Sequence, residues 1–239
     1  YVTPEENDSQ FTEKIYRLPE TRWCFTAPNI NLHVSTLPAL NNGYITFGCF
    51  NNLTKLNDQV IELWATILIA IPQSYLFLKN KQLKSVEIQQ MICRKFVANG
   101  IDKDRILLEG FDSREKYLNS YNRIDIALDP FPFTGGTTSI EGLWMGVPIL
   151  TLSGHSLVSN QGVSISINAG LSDWIAQDKK DYLAKAISFS SDVKHLSTLR
   201  RGLREQILAS PLFDSKTFAN NLKNALWDIW NQWRKNGAL

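Results

Sequence analysis

Five short runs of continuous apolar or β-branched residues recur along the chain: Tyr44–Phe50, Tyr75–Leu78, Arg105–Glu109, Ile124–Leu128 and Val147–Leu152. Each is separated from the next by a stretch containing apolar residues at helical spacing, such as Val60, Leu63, Trp64, Ile67 and Leu68, or Ile88, Met91, Ile92 and Phe96. A strand that is apolar throughout, rather than alternating, is one covered on both faces. Strand–helix alternation then implies an α/β fold: a Rossmann-like parallel sheet with helices on both sides. A short helix is expected over Arg114–Tyr121. After Leu152 the pattern turns helical, over residues 158–169, 172–177, 179–188, 193–208 and 215–233. The last of these carries a stripe of Phe218, Leu222, Ala225, Leu226, Ile229 and Trp230, which reads as a core-packing face; Trp144 and Trp230 are both expected in the core.

Residues 1–42 do not read as an autonomous domain. Polar and proline-punctuated runs surround one apolar patch, Trp23-Cys24-Phe25, which needs a partner surface. They are expected to be a linker or the tail of a preceding unit, with residues 43–239 forming the Rossmann-like domain. A formal charge of +2, with 20% charged residues, gives no basic excess for a nucleic acid partner. Cys24, Cys49 and Cys93 are odd in number and lack metal-ligand spacing, so neither a disulfide framework nor a metal centre is indicated, and a reducing, cytoplasmic compartment is implied. The apolar stretch Leu63–Pro72 is too short to span a bilayer, and no membrane association is expected.

The strand at Ile124–Leu128 runs into Asp129-Pro-Phe-Pro-Phe-Thr-Gly-Gly-Thr-Thr138, and Ile140, Leu143 and Trp144 then fall at helical spacing. A glycine loop between strand and helix is a recurrent anion site, because first-turn N–H groups lack intrahelical acceptors and the helix dipole favours negative charge. Gly136, Thr137 and Thr138 would hold phosphate, and Glu141 the hydroxyls of a ribose. The same residues also suit an ordinary helix start, in which a Thr caps and Glu141 is a first-turn acid. On the loop alone the two readings are equal, since it is neither GxGxxG nor GxxxxGK[ST].

Ligands of open α/β sheets sit at the carboxyl ends of the strands, where the topology reverses. Two further loops leave such ends. Asn51–Lys55 offers Lys55 as a compact cation and Asn52 as an amide, and Phe111–Arg114 offers the Arg114 guanidinium to stack on a base. His33 and His195 lie in polar surroundings and read as surface residues; His155 follows a strand end, on the site edge.

Phe47-Gly-Cys-Phe-Asn-Asn-Leu-Thr-Lys55, Ile126-Ala-Leu-Asp129-Pro-Phe-Pro, Gly136-Thr-Thr-Ser-Ile-Glu-Gly-Leu-Trp-Met-Gly-Val-Pro148 and Ser210-Pro-Leu-Phe213 together resemble the carboxyl-terminal catalytic half of the SPINDLY and O-linked N-acetylglucosamine transferase family. Leu18-Pro19 and Leu37-Pro-Ala-Leu-Asn-Asn-Gly43 look like the SPINDLY branch. The resemblance implies one half of a GT-B glycosyltransferase that transfers N-acetylglucosamine from UDP-GlcNAc to Ser or Thr hydroxyls of an acceptor protein, with inversion. It implies Lys55 as the catalytic cation on the leaving diphosphate, Asn52, Thr137 and Thr138 on phosphate, and Glu141 on ribose. No cofactor or metal is implied beyond the nucleotide-sugar donor. An amino-terminal catalytic half and tetratricopeptide repeats would belong to the full-length protein.

The family's O-linked N-acetylglucosamine transferases carry His-Thr-Thr where this chain has Gly136-Thr137-Thr138, and Asp where it has Glu141; a further family histidine aligns with Tyr117. These departures leave open a GDP-fucose-dependent protein O-fucosyltransferase of the SPINDLY type, and the amino-terminal half that the resemblance places outside this chain leaves open a non-catalytic nucleotide-binding scaffold using the Trp23–Phe25 patch and the terminal helix for protein contacts.

Overall fold

In the computed structural model, residues 2–3, 5–110 and 112–235 are described. Tyr1, Pro4 and Phe111, and residues 236–239 at the end of the expected domain, lie outside the described residues.

Six strands form one parallel sheet: β1 (Thr46–Cys49), β2 (Tyr75–Lys79), β3 (Ile106–Glu109), β4 (Ile126–Leu128), β5 (Ile149–Leu152) and β6 (Ile175–Ala176). Their spatial order is β3-β2-β1-β4-β5-β6, and every pairing is parallel. The sheet grows outward from β1 in one direction and from β4 in the other, so the topological switch lies between β1 and β4. All residues of β1, β4 and β5 are buried, which is why their sequences show no alternation.

The helices are α1 (Ala39–Asn42), α2 (Asp58–Ala70), α3 (Val86–Ala98), α4 (Arg114–Asn119), α5 (Thr137–Trp144), α6 (Gln161–Asn168), α7 (Lys179–Ser191), α8 (Val193–Leu208) and α9 (Ser215–Lys235). Side-chain caps start several of them: Asn57 accepts from the Val60 N–H, Ser85 from Ile88, Asp178 from Asp181 and Asp192 from His195. Gly146 closes α5 at φ +75°, and a Cβ there would lie 2.6 Å from Val34 and 2.9 Å from the Arg200 carbonyl. That turn therefore accepts only glycine.

Four expectations are corrected. Residues 172–177 are not a helix: a 3-10 turn over Ser172–Trp174 feeds β6, because Ile175 and Ala176 complete the sheet edge beside Thr151 and Leu152. The helix expected from residue 158 begins at Gln161, after a polar loop in which Ser156 and Ser159 bond to one another. The stripe on α9 is not a core face, since only Ala225 is buried and Trp230 is half exposed. Helical spacing fixes which residues share a face but not what covers it. Trp23 and Phe25, finally, do not form an exposed patch. Phe25 donates its N–H to the Leu212 carbonyl at 2.8 Å and meets the Phe213 ring edge-on, and both aromatics pack against the core.

The amino-terminal segment is pinned from below by Arg200, which is fully buried on α8. Its guanidinium donates to the Ser35 carbonyl at 2.9 Å and to the Ile124 carbonyl at 2.8 Å. Asp125, directly before β4, accepts from the N–H groups of Ala39 and Thr46 at 2.9 and 2.8 Å. The amino edge of the sheet is thereby locked, and the carboxyl edge is left open.

Candidate active site

The chain leaves β1 through Phe50 and Asn51 into a 3-10 turn, Leu53–Lys55. Asn52 caps that turn, accepting from the Thr54 N–H at 3.1 Å and its hydroxyl at 3.2 Å, and is exposed. Its buried neighbour Asn51 is the side chain that reaches inward. The Asn51 Oδ1 accepts from the Thr138 hydroxyl at 3.0 Å and from Lys55 Nζ at 3.3 Å. The amide that joins Lys55 and Thr138 is therefore Asn51, with Asn52 exposed beside it, a distinction that two adjacent asparagines do not reveal without knowing which one faces the sheet edge.

Lys55 is half buried. It donates to the Thr134 carbonyl at 2.8 Å and lies 4.0 Å from the centroid of the Phe133 ring. Burial lowers its pKa, opposed by the negative charge of Asp129 and of Cys49 when ionised. An ammonium has three donors, so two protein acceptors leave one for a ligand.

Past β4, Asp129 is buried and the loop Pro130–Gly136 turns back over the strand ends. Gly136 is the N-cap of α5 and provides no side-chain cap. A Cβ on it would lie 2.6 Å from the Trp23 indole, so the loop passes tightly beneath that ring. Thr137 is exposed at the first position of α5, while the Thr138 hydroxyl goes to Asn51. The ordinary helix-start reading fails on both counts: no Thr caps α5, and Glu141 lies beyond its first turn.

Glu141 has a side chain only 3% exposed, and its Oε1 is 2.6 Å from the Arg114 guanidinium. Arg114 loses some stability of its charge to desolvation, but the hydrogen bond and charge of Glu141 outweigh this and raise its pKa. The sequence placed these two residues in separate roles, and the fold pairs them. Beside them stands an aromatic wall: Phe50 lies 4.3 Å from Tyr121 and 5.7 Å from Tyr117, centroid to centroid. The Tyr121 hydroxyl donates to the Thr138 carbonyl at 2.9 Å, tying the wall to α5. Burial, and then the neighbouring Glu141 carboxylate, raises the pKa of Tyr117, while burial and then Tyr117 raise that of Tyr121.

Beyond the wall opens a cavity of about 320 Å³, lined by Phe50, Lys79, Asn80, Asp112, Arg114 and Tyr117 among others. Lys79, fully buried at the end of β2, holds Glu109 at 3.0 Å and Asp112 at 3.1 Å. Along the carboxyl edge the order is therefore cation and helix N-terminus, then a buried acid with its arginine, then an aromatic cavity with a carboxylate. His155 is exposed, and its carbonyl accepts from Gln10 at 2.9 Å; His33 and His195 are exposed too. Sequence reasoning missed Asn51, Asp129, Thr134, Phe133 and Tyr121, each of which acts through a contact with a distant segment. Among the described residues no group of three or more His, Cys, Asp and Glu side chains converges, and no helix is long and apolar enough to cross a membrane.

Residues 27–222 match the family model described as glycosyl transferase family 41. The chain belongs to glycosyl transferase family 41. It is 36% identical over 231 residues to the Petunia hybrida protein named as probable UDP-N-acetylglucosamine–peptide N-acetylglucosaminyltransferase SPINDLY, covering 96% of this chain and 25% of that protein. A Caenorhabditis elegans UDP-N-acetylglucosamine–peptide N-acetylglucosaminyltransferase is 27% identical over 189 residues, which cover 79% of this chain and 16% of that one. A mutant O-GlcNAc transferase of Thermobaculum terrenum superposes with a TM-score of 0.88 at 31% identity, covering 99% of this chain and 45% of that one. S. aureus TarM, at 13% identity and a TM-score of 0.59, covers 93% of this chain and 42% of its own, and shares the fold alone. The family 41 chain thus spans about a quarter of the length of the plant relatives and has the Rossmann-like sheet of GT-B glycosyltransferases.

Proposed function

We propose that this chain is the donor-binding half of a nucleotide-sugar-dependent protein O-glycosyltransferase, using UDP-GlcNAc and a Ser or Thr acceptor with inversion at the sugar. The observation that carries the reading is the convergence of Lys55, Asn51 and Thr138 at the uncapped start of α5, one helical turn from the buried Glu141–Arg114 pair. Diphosphate fits the first cluster, ribose hydroxyls the second, and the base the aromatic cavity. Residues 1–42 belong, on this reading, to the tail of a preceding catalytic half, and 43–239 to the donor domain. Acceptor recognition would fall to that half and to tetratricopeptide repeats.

In the transfer, the acceptor hydroxyl oxygen attacks the anomeric carbon and the bond from that carbon to the diphosphate oxygen breaks. The electron pair leaves with the nucleoside diphosphate, and the hydroxyl proton goes to a base outside the groups assigned here. Negative charge grows on the leaving oxygen. Lys55, the α5 N–H groups and the Thr137 hydroxyl are donors at that point, with Thr138 anchoring Asn51 beside Lys55, and preorganised donors lower the barrier without reorganisation.

A second reading, GDP-fucose as donor, is favoured by Asp112. A carboxylate at the cavity wall suits guanine, which presents a ring N–H and an amine side by side; uracil presents one N–H between two carbonyls. Calorimetric titration of the chain with UDP and with GDP tests both readings. Binding of either, weakened in Lys55→Ala, supports the donor site; the preferred nucleotide, and its sensitivity to Asp112→Asn, chooses the base. A folded chain that binds neither contradicts the proposal.

A further inference from the structure

Behind the glycine loop lies a carboxylate that the transfer does not touch. Asp129 is 1% exposed. Its Oδ1 accepts the Gly135 N–H at 2.6 Å, its Oδ2 accepts the Thr151 hydroxyl of β5 at 2.9 Å, and its backbone carbonyl accepts the Tyr182 hydroxyl of α7 at 3.2 Å. Gly162 of α6 packs so close that a Cβ there would fall 2.5 Å from Oδ2. The Gly135 N–H and the Thr134 carbonyl are two ends of one peptide group. Asp129 holds the N–H end, and Lys55 Nζ holds the carbonyl end at 2.8 Å. An anion, a peptide dipole and a cation are therefore in line, each bond polarising the next.

We propose that Asp129 is a positioning residue of the diphosphate site: through the Thr134–Gly135 peptide it sets the loop and orients the Lys55 ammonium toward the donor. This rests on the reading of Lys55 as the phosphate cation. Three titratable groups face the carboxylate: Cys49 at the end of β1, Lys55 in the following turn and Tyr182 on α7. The packed segments of β5 and α6 present the uncharged Thr151 and Gly162. Burial pushes the Asp129 pKa up to about 6, against the hydrogen bonds from Gly135 and Thr151 and the charge of Lys55. An acid whose folded pKa lies above its unfolded value costs stability at neutral pH. What gives Asp129 its reach into the site is the far end of the peptide that it holds, which meets Lys55.

The test is Asp129→Asn in the 239-residue chain, read three ways. Melting at pH 7 is expected at the wild-type temperature or above; a variant that melts lower or fails to fold overturns the proposal, because the carboxylate is then structural. Competitive labelling of the Lys55 amine across pH, read by mass spectrometry without ligand, should show its pKa falling in the variant as the anion is removed; an unchanged Lys55 titration overturns the proposal. Affinity for UDP or GDP should drop on the order of tenfold in the variant, the weight of one charge-assisted contact. Wild-type binding with no loss in the variant overturns this inference alone, whereas no binding by the wild type overturns the donor-site reading and this one with it.

Discussion

Asp125 and Asp129 flank β4, one residue before it and one after. Both are buried, and burial pushes both up to about 6. Their partners differ in kind. Asp125 accepts backbone N–H groups from Ala39 and Thr46 and faces Arg200, whose own pKa burial lowers to about 10. Every one of those groups belongs to the frame. Asp129 is tied to a loop peptide whose other end meets Lys55. One strand thus carries a carboxylate that closes the amino edge and another that serves the open edge, which is where doubly wound sheets bind ligands.

The largest effect that can break this contrast is on stability. Asp125→Ala should cost roughly 2–6 kcal/mol in denaturant unfolding, because it leaves the Ala39 and Thr46 N–H groups buried without their acceptor. Nucleotide affinity of the folded fraction should not change; if it falls, the two ends of β4 are not functionally separate.

Next comes pH. Between the unfolded value of 3.8 and about 6, the folded chain holds a proton on Asp129 that the unfolded chain has released. The unfolded state binds fewer protons there, so this group's contribution to stability falls as pH rises through the window. Unfolding from pH 4 to 7 should show wild type losing roughly 3 kcal/mol relative to Asp129→Asn, the weight of about two pKa units. Parallel curves would mean that Asp129 is not a buried charge at neutral pH.

Lys55→Ala should weaken UDP or GDP binding by roughly 10- to 100-fold, with little change in melting temperature, since the side chain is half exposed and its loss opens no core. Thr138→Val, read by the same titration, should cost about fivefold, one neutral hydrogen bond through Asn51.

The sheet was legible because buried parallel strands write themselves as unbroken apolar runs, and the glycine loop because two glycines and two threonines follow one of them. Lys55, Thr138, Glu141 and Arg114 lie on the edge that strand order dictates. Less legible were the features decided by tertiary contact. Asn51 turns inward to Thr138 while Asn52 caps the 3-10 turn of Leu53–Lys55, a division of two like residues that only the turn decides. β6 is two residues long, too short for any periodicity to show. Asp129 reads as a strand-end residue until Gly135 folds back onto it. The pairing of Arg114 with Glu141 joins segments that sequence spacing cannot relate.

The most direct test is amide hydrogen exchange of the chain with and without saturating UDP or GDP. The account predicts added protection in peptides covering residues 50–55, 112–121 and 134–141, and none at Ala39–Thr46, where Asp125 locks the frame. Protection at the amino edge with the glycine loop unchanged would place the ligand elsewhere and contradict a donor site at the carboxyl ends of β1 and β4.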